Sequence, residues 1–262
     1  MTTEPLKNKT VSSIVAQLGS TIGIKILSII QTIIFARIFF PDDFGIFATA
    51  SLTIAFVMLF SEIGINDFVV KERENIEKVM DNLFSLNVII GFFFFTLIFI
   101  SAPFAASFFD SPDLVLYIRF LSYSAFGAAL GLPNMLLVKD MKFGMANLPT
   151  FFSLVGNTLI AYISTVIFDL GTWGLFFGGL AGFAINTLVI WTIAPYKPKL
   201  GFDINVIKKA YSFGWPLLIG SMLNFISWQV DDLTVRYFFG SEQLGIYTFA
   251  FYLPVFLLKI VQ

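Results

Sequence analysis

Long stretches of this sequence carry no charged side chain: Phe44–Ser61, Asn82–Phe109, Phe120–Val138, Phe143–Phe168 and Leu170–Tyr196. Further apolar runs cover Ile26–Ala36, Ala210–Val230 and Gln243–Leu258. A membrane-spanning helix needs about 20 mostly apolar residues. With the ends of neighbouring runs trimmed or extended, the chain offers eight. In hydrocarbon every backbone polar group must be satisfied within the protein, which leaves helices and closed barrels. A barrel would show short alternating segments, and these runs are continuous. The sequence therefore predicts an all-α polytopic membrane protein, and a hydrophobic fraction of 57% with 13% charged residues agrees.

The eight predicted spans are roughly 13–36, 44–66, 81–101, 114–137, 147–168, 172–194, 211–235 and 243–262. The hydrophilic connections alternate in Lys and Arg. One set holds Lys7 and Lys9; Lys71, Arg73 and Lys78; Lys139 and Lys142; Lys197, Lys199, Lys208 and Lys209. The other set, "FFPDDF", "APFAASFFDSPD", "FDLGT" and "FGSEQ", has no basic residue. Cytoplasmic loops carry the Lys/Arg excess, so the N-terminus is expected in the cytoplasm of a multi-pass plasma-membrane protein, with the first span as its own insertion signal. Between Pro195 and Ala210 the sequence allows either a short interfacial amphipathic helix or a solvated basic linker. Cysteine and histidine are absent, and no Gly-x-x-x-x-Gly-Lys-Ser/Thr loop occurs. No enzyme chemistry, metal, cofactor or nucleic-acid partner is expected. Gly178-x-x-x-Gly182 predicts close helix packing.

The first and seventh spans end alike. "TIIFARIFFPDDFGIF" (32–47) and "ISWQVDDLTVRYFFGSEQLGIY" (226–247) each place an apolar run before an Arg, then aromatic residues, an acidic turn and Gly-Ile-aromatic. Both copies start on the same side, which makes a parallel repeat. A duplicated lobe would need the same turn, and a Gly that permits close backbone approach. Ala36–Phe47, with "FSEIGINDFVVKE" (60–72), "FFDSPDLVLYIRFLS" (108–122) and the stretch from Asp231 to Tyr247, resembles the Wzx-type polysaccharide-biosynthesis flippases. These belong to the multidrug/oligosaccharidyl-lipid/polysaccharide exporter superfamily. The resemblance implies two six-helix lobes facing a central cavity. Residues 1–209 would form one lobe, and 210–262 the first two helices of a second, so that the chain is a fragment of the full pattern.

Ionisable side chains inside a span cost about 2.5–3.5 kcal/mol on insertion scales, so each needs a reason. Lys25 lies about 18 Å into the first span at 1.5 Å per residue. It is a candidate contact for an anionic substrate, an internal ion pair being the alternative. In the repeat register it corresponds to Asn224, a second candidate facing the same cavity. Arg119, about 9 Å into the fourth span, could grip a phosphate with its planar fork or snorkel to the interface. Glu62 is expected to be a solvated interfacial carboxylate. Asp232 and Arg236 are four residues apart in acid-before-base order, which predicts a structural pair. Asp231 points about 100° away. It is the candidate coupling site for H⁺ or Na⁺, with water exposure at the outer mouth as the competing account.

The resemblance implies transport of a polyprenyl-pyrophosphate-linked oligosaccharide across the inner membrane by alternating access. The headgroup would be held in the cavity and the tail would stay among membrane lipids. A multidrug-type cation exporter and a non-catalytic membrane scaffold are the alternative expectations.

Overall fold

A computed structural model describes residues 4–60, 65–72, 75–248 and 250–251. Among them the regular structure is helical. The helices are α1 (Glu4–Ile38), α2 (Pro41–Met58), α3 (Ile65–Lys71), α4 (Ile76–Phe108), α5 (Leu114–Leu121), α6 (Gly127–Gly131), α7 (Asn134–Lys139), α8 (Phe143–Tyr162), α9 (Trp173–Ile193) and α10 (Ile204–Phe239). Residues 241–248 are helical as well. Glu62 and most of the predicted eighth span lie outside the described residues.

Among the described residues five helical stretches are long and apolar enough to cross a membrane: Val15–Ile38, Ile76–Phe108, Leu114–Gly131, Phe143–Ile167 and Trp173–Ile193. The second and seventh predicted spans correspond to α2 and α10. Both are helices, but they carry the acidic pairs Asp42-Asp43 and Asp231-Asp232, and neither is among the five. The predicted fourth span is segmented rather than continuous. A 3₁₀ turn at Ser122–Phe126 follows α5. Pro133, which has no amide hydrogen to donate, stands between α6 and α7.

The bundle packs through small residues, because lipid offers no hydrophobic drive for helices to associate. Along α9, Gly178 and Gly182 face α8. A Cβ on Gly178 would lie 2.7 Å from that of Ala161 and 2.8 Å from the Asn157 carbonyl oxygen. One on Gly182 would meet Asn157 and Ser153 at 3.1 Å. The Gly-x-x-x-Gly spacing is thus a packing seam, as the sequence predicts. On its other side α8 is tied to α1 by amides, with Asn147 Nδ2 donating to Ser20 Oγ (2.7 Å) and Gln31 Nε2 to Asn157 Oδ1 (3.1 Å). The main core joins α2, α4, α5 and α9 around Ile54, Ile98, Ile118 and Phe176.

A second core gathers Phe68, Met80, Leu83, Leu132 and Ala210 at the lysine-rich end. There the connection 194–203 is extended and strapped to α4 by side chains that receive its amide hydrogens. Lys199 N–H donates to Asp81 (2.6 Å), Gly201 N–H to Ser85 Oγ (2.8 Å), and Asp203 N–H to Asn82. Lys78 pairs with Asp203 at 2.6 Å. This hydrogen bond, with the Asn205 amide, holds the Asp203 carboxyl below its ordinary value. No separate interfacial helix precedes the seventh span. Asp203 caps α10 directly through the Asn205 N–H, and the helix runs unbroken through positions 209 and 210.

Candidate functional site

At the lysine-free end the two copies of the repeated segment meet. In the first copy, Phe40-Pro41-Asp42-Asp43 starts α2 with proline in the first turn, where its missing donor is harmless. Two carboxylates sit where the helix dipole favours negative charge, and Asp43 accepts from the Phe40 N–H (2.9 Å). In the second copy α10 stops at Gly240, whose φ of 93° lies in the region that favours glycine. The two turns then cross. A Cβ on Gly45 would overlap the backbone of Ser241, and a Cβ on Gly245 would overlap the Pro41 carbonyl. Positions 41 and 45 correspond to 241 and 245, so the contact is reciprocal. The Ser241 hydroxyl donates to Asp42 across it. The close approach predicted for the repeated glycine is their approach to each other.

One turn deeper, Arg236 is buried at 7% exposure. Its Nε donates to Thr49 Oγ1 (2.9 Å) and its Nη2 to the Phe109 carbonyl (3.3 Å), with the guanidinium 5.2 Å from the Phe109 ring centre. The predicted Asp232–Arg236 pair is therefore not formed. Spacing along one helix brought the two side chains to neighbouring positions. The guanidinium instead finds three partners on α2 and the α4 end, and Asp232 turns the other way. In the first copy Arg37 is exposed, so the shared arginine performs different work in the two halves.

Asp232 opens into a cavity of about 470 Å³ between α1, α2, α8, α9 and α10. Its polar lining is Ser28, Gln31, Thr32, Ser51, Asn157, Gln229, Asp232 and Thr248. With its amide oriented to suit both neighbours, Gln229 donates to Asp232 Oδ2 at 3.2 Å. The buried Thr248 hydroxyl has no hydrogen-bond partner among the described residues. Phe35, Phe44, Phe47, Ala48, Leu52, Ala55 and Leu175 complete the wall. The hydroxyls and amides among them can donate to and accept from a polyhydroxylated ligand, and the apolar side chains can pack on its C–H faces. Among the described lining residues the one ionisable group is a carboxylate.

Of the residues singled out in the sequence, only Asp232 lines this cavity. Lys25 is half-buried on the α1 face that carries Ser28 and Thr32, one turn below the lining. Asn224 is exposed on α10, so the structure does not bring the two together. Arg119 lies against α4, with Nε donating to the Phe99 carbonyl (3.3 Å) and the guanidinium 4.6 Å from the Phe99 ring centre. Asp231 receives the Tyr247 hydroxyl at Oδ2 (2.6 Å), while its buried Oδ1 accepts no hydrogen bond among the described residues. Gln31, Asn157, Gln229 and Thr248 are missed by a search for charges. Of these only Gln31 had a signal, the i, i+3, i+4 spacing of Ser28, Gln31 and Thr32 within an apolar helix.

Comparisons with known proteins point the same way. The profile of the family described as "Polysaccharide biosynthesis protein" matches residues 34–262. The chain is 23% identical to the teichuronic acid biosynthesis protein TuaB of Bacillus subtilis (strain 168), over 88% of this chain and 48% of that protein. It is 22% identical to the lipopolysaccharide biosynthesis protein WzxC of Escherichia coli (strain K12), over 95% of this chain and 51% of the relative. The succinoglycan biosynthesis transport protein ExoT of Rhizobium meliloti (strain 1021) is 24% identical, over 91% of this chain and 47% of its own length. The chain thus spans about half the length of the curated relatives it matches. No solved structure matches it significantly. With a family match over most of its length and the helical membrane architecture that its apolar runs dictate, the chain belongs to the polysaccharide biosynthesis protein family, the Wzx-type flippase group that its repeated segments resemble.

Proposed function

We propose that this chain forms the substrate-handling half of a transporter that carries a polyprenyl-pyrophosphate-linked oligosaccharide across the inner membrane by alternating access, with its N-terminus in the cytoplasm. The observation that carries this reading is the cavity with hydroxyls and amides on its wall, next to the Gly45–Gly245 crossing. Hydroxyls and amides suit a sugar headgroup, and the crossing is a seam at which two rigid halves can part. Lys25, one turn below, meets the diphosphate as it enters. Residues 1–209 act as one lobe and 210–262 open the second. Arg119, held on Phe99, and Asn224, on the exposed face of α10, then act at the outer rim.

Asp231 is the proposed coupling residue. A buried carboxylate oxygen without a hydrogen-bond partner among the described residues is costly, and a bound H⁺ or Na⁺ supplies one. One observation favours a second reading, a multidrug-type cation exporter: among the described residues the only ionisable one on the cavity wall is Asp232. The two readings separate in one experiment. In a cell whose surface glycan depends on this protein, Gln31→Leu with Asn157→Leu should abolish surface glycan at an unchanged membrane level of protein. Asp232→Asn should leave much of it. Normal export by the double variant overturns the sugar-cavity reading. Loss of resistance to lipophilic cations in Asp232→Asn, with glycan intact, selects the exporter.

A further inference from the structure

Beside the polar cavity lies a second one of different chemistry, about 600 Å³, enclosed by α2, the end of α4 and α10. Among the described residues six phenylalanines line it, Phe56, Phe60, Phe104, Phe108, Phe109 and Phe225, and none of the lining residues is charged. On each helix the lining positions recur at three- and four-residue intervals, as in Met222, Phe225, Ile226, Gln229, Val230 and Leu233. Many of these side chains stay open to the surroundings: Phe104 is 77% exposed, Phe108 56% and Phe56 55%. The groove is therefore open on one side.

We infer that this groove binds the isoprenoid tail of the same molecule whose headgroup occupies the polar cavity; the inference rests on the proposed function above. Two observations select that occupant. The cavities are neighbours, because Leu52 and Gln229 belong to the walls of both. A ligand with a sugar head and a hydrocarbon tail matches a polar-lined and an apolar site placed side by side. The groove also runs along α10 from Met222 to Leu233, about 17 Å at 1.5 Å per residue. That is close to half of the ~30 Å hydrocarbon core, the depth over which a chain anchored in one leaflet lies. The ring-lined walls suit methyl-branched, unsaturated hydrocarbon, and the two polar lining residues are already engaged. Thr53 donates to the Thr49 carbonyl (2.9 Å) and Gln229 to Asp232.

Photolabelling tests this on the full 262-residue chain in nanodiscs. The tail probe is a diazirine-bearing polyprenyl phosphate. A tailless sugar diphosphate, measured by calorimetry, reports the polar cavity independently. The tail probe should label peptides of α2 and α10 around Phe56 and Phe225, saturably and in competition with unlabelled polyprenyl phosphate. Thr53→Trp, which fills the groove, should weaken labelling at least about tenfold, since losing contact with roughly two methylenes already does so. Phe225→Ala, which opens the groove instead, should shift the labelled positions. Both variants should bind the tailless probe as the parent does. Saturable labelling confined to other helices overturns the tail site while leaving the transport reading intact. Equal labelling by a diazirine phospholipid, uncompeted by polyprenyl phosphate, also overturns it, since the groove is then an ordinary lipid contact. Groove labelling without any tailless binding supports the tail site and counts against the sugar cavity.

Discussion

The crossing of the two repeated turns can be broken by a single methyl group. Gly245→Ala places a Cβ inside the Pro41 carbonyl, and Gly45→Ala places one inside the Ser241 backbone. In both cases the obstacle is main chain, which cannot rotate aside as a side chain would, so the two helix starts must separate. Overpacking of this kind costs roughly 1–3 kcal/mol. If separation is an available alternative state, as alternating access requires, that energy moves its population by about 5–150-fold. The assay uses the absence of native cysteine. Asp42→Cys with Ser241→Cys puts two thiols where the native side chains touch. A short bismaleimide then joins them only while the crossing is closed, and the product is quantified by mass spectrometry after digestion. The cross-linking rate should fall by at least fivefold or so in either glycine variant. Gly19→Ala and Gly23→Ala, where nothing lies within 4 Å of the new Cβ, should leave it unchanged. Rates equal to the parent's in both Gly45→Ala and Gly245→Ala would refute the crossing and the closure built on it.

Arg236→Met keeps the apolar stem but deletes the bonds to Thr49 and the Phe109 carbonyl. It should lower stability by about 1.5–3 kcal/mol, read as a fall in melting temperature in detergent, whereas an unchanged melt would show that the buried guanidinium contributes nothing. Asp232→Asn should not be rescued by Arg236→Gln, because the two do not pair; additive losses in the double variant check this, and strong rescue would restore the ion pair. Cysteines at Ser107 and Ser241 should react with an impermeant reagent added outside intact cells and those at Asn75 and Asn205 should not, the reverse pattern inverting the proposed orientation. The Asp203 carboxyl is held low by Lys78, so its contribution to the strap is fully present above the ordinary carboxylate pKa of about 3.9 and is lost only as pH falls through its lower folded value. The anisotropy of a fluorophore on Lys197→Cys should therefore stay flat from neutral pH down to about 4 and then drop. In Lys78→Met the drop should begin at higher pH, and a fall already near pH 6 in the parent would exclude this anchor.

The helical membrane class was legible in the sequence because hydrocarbon imposes one requirement on every residue of a span. A charge-free run such as Asn82–Phe109 satisfies it in any tertiary context. The glycine seam at Gly178 and Gly182 was legible for a similar reason: local spacing fixes which residues share a helix face. The repeated Gly45 and Gly245 announced a close approach, yet only the fold showed that each is the other's obstacle. Where charges go was not legible. Asp232 and Arg236 look like partners on one helix, but a guanidinium turns toward whichever acceptors are best placed, and Thr49 and the Phe109 carbonyl come from segments more than a hundred residues away. Lys25 and Asn224 correspond in the repeat and still do not meet. Helix rotation about its own axis decides what a cavity sees, and hydropathy along the chain does not encode that rotation. Apart from Asp232, the polar part of the cavity wall is built from neutral residues, among them Gln31, Asn157, Gln229 and Thr248. Each is inexpensive enough in an apolar run to pass unnoticed, and they form a site only because the packing of four helical segments turns them toward one another.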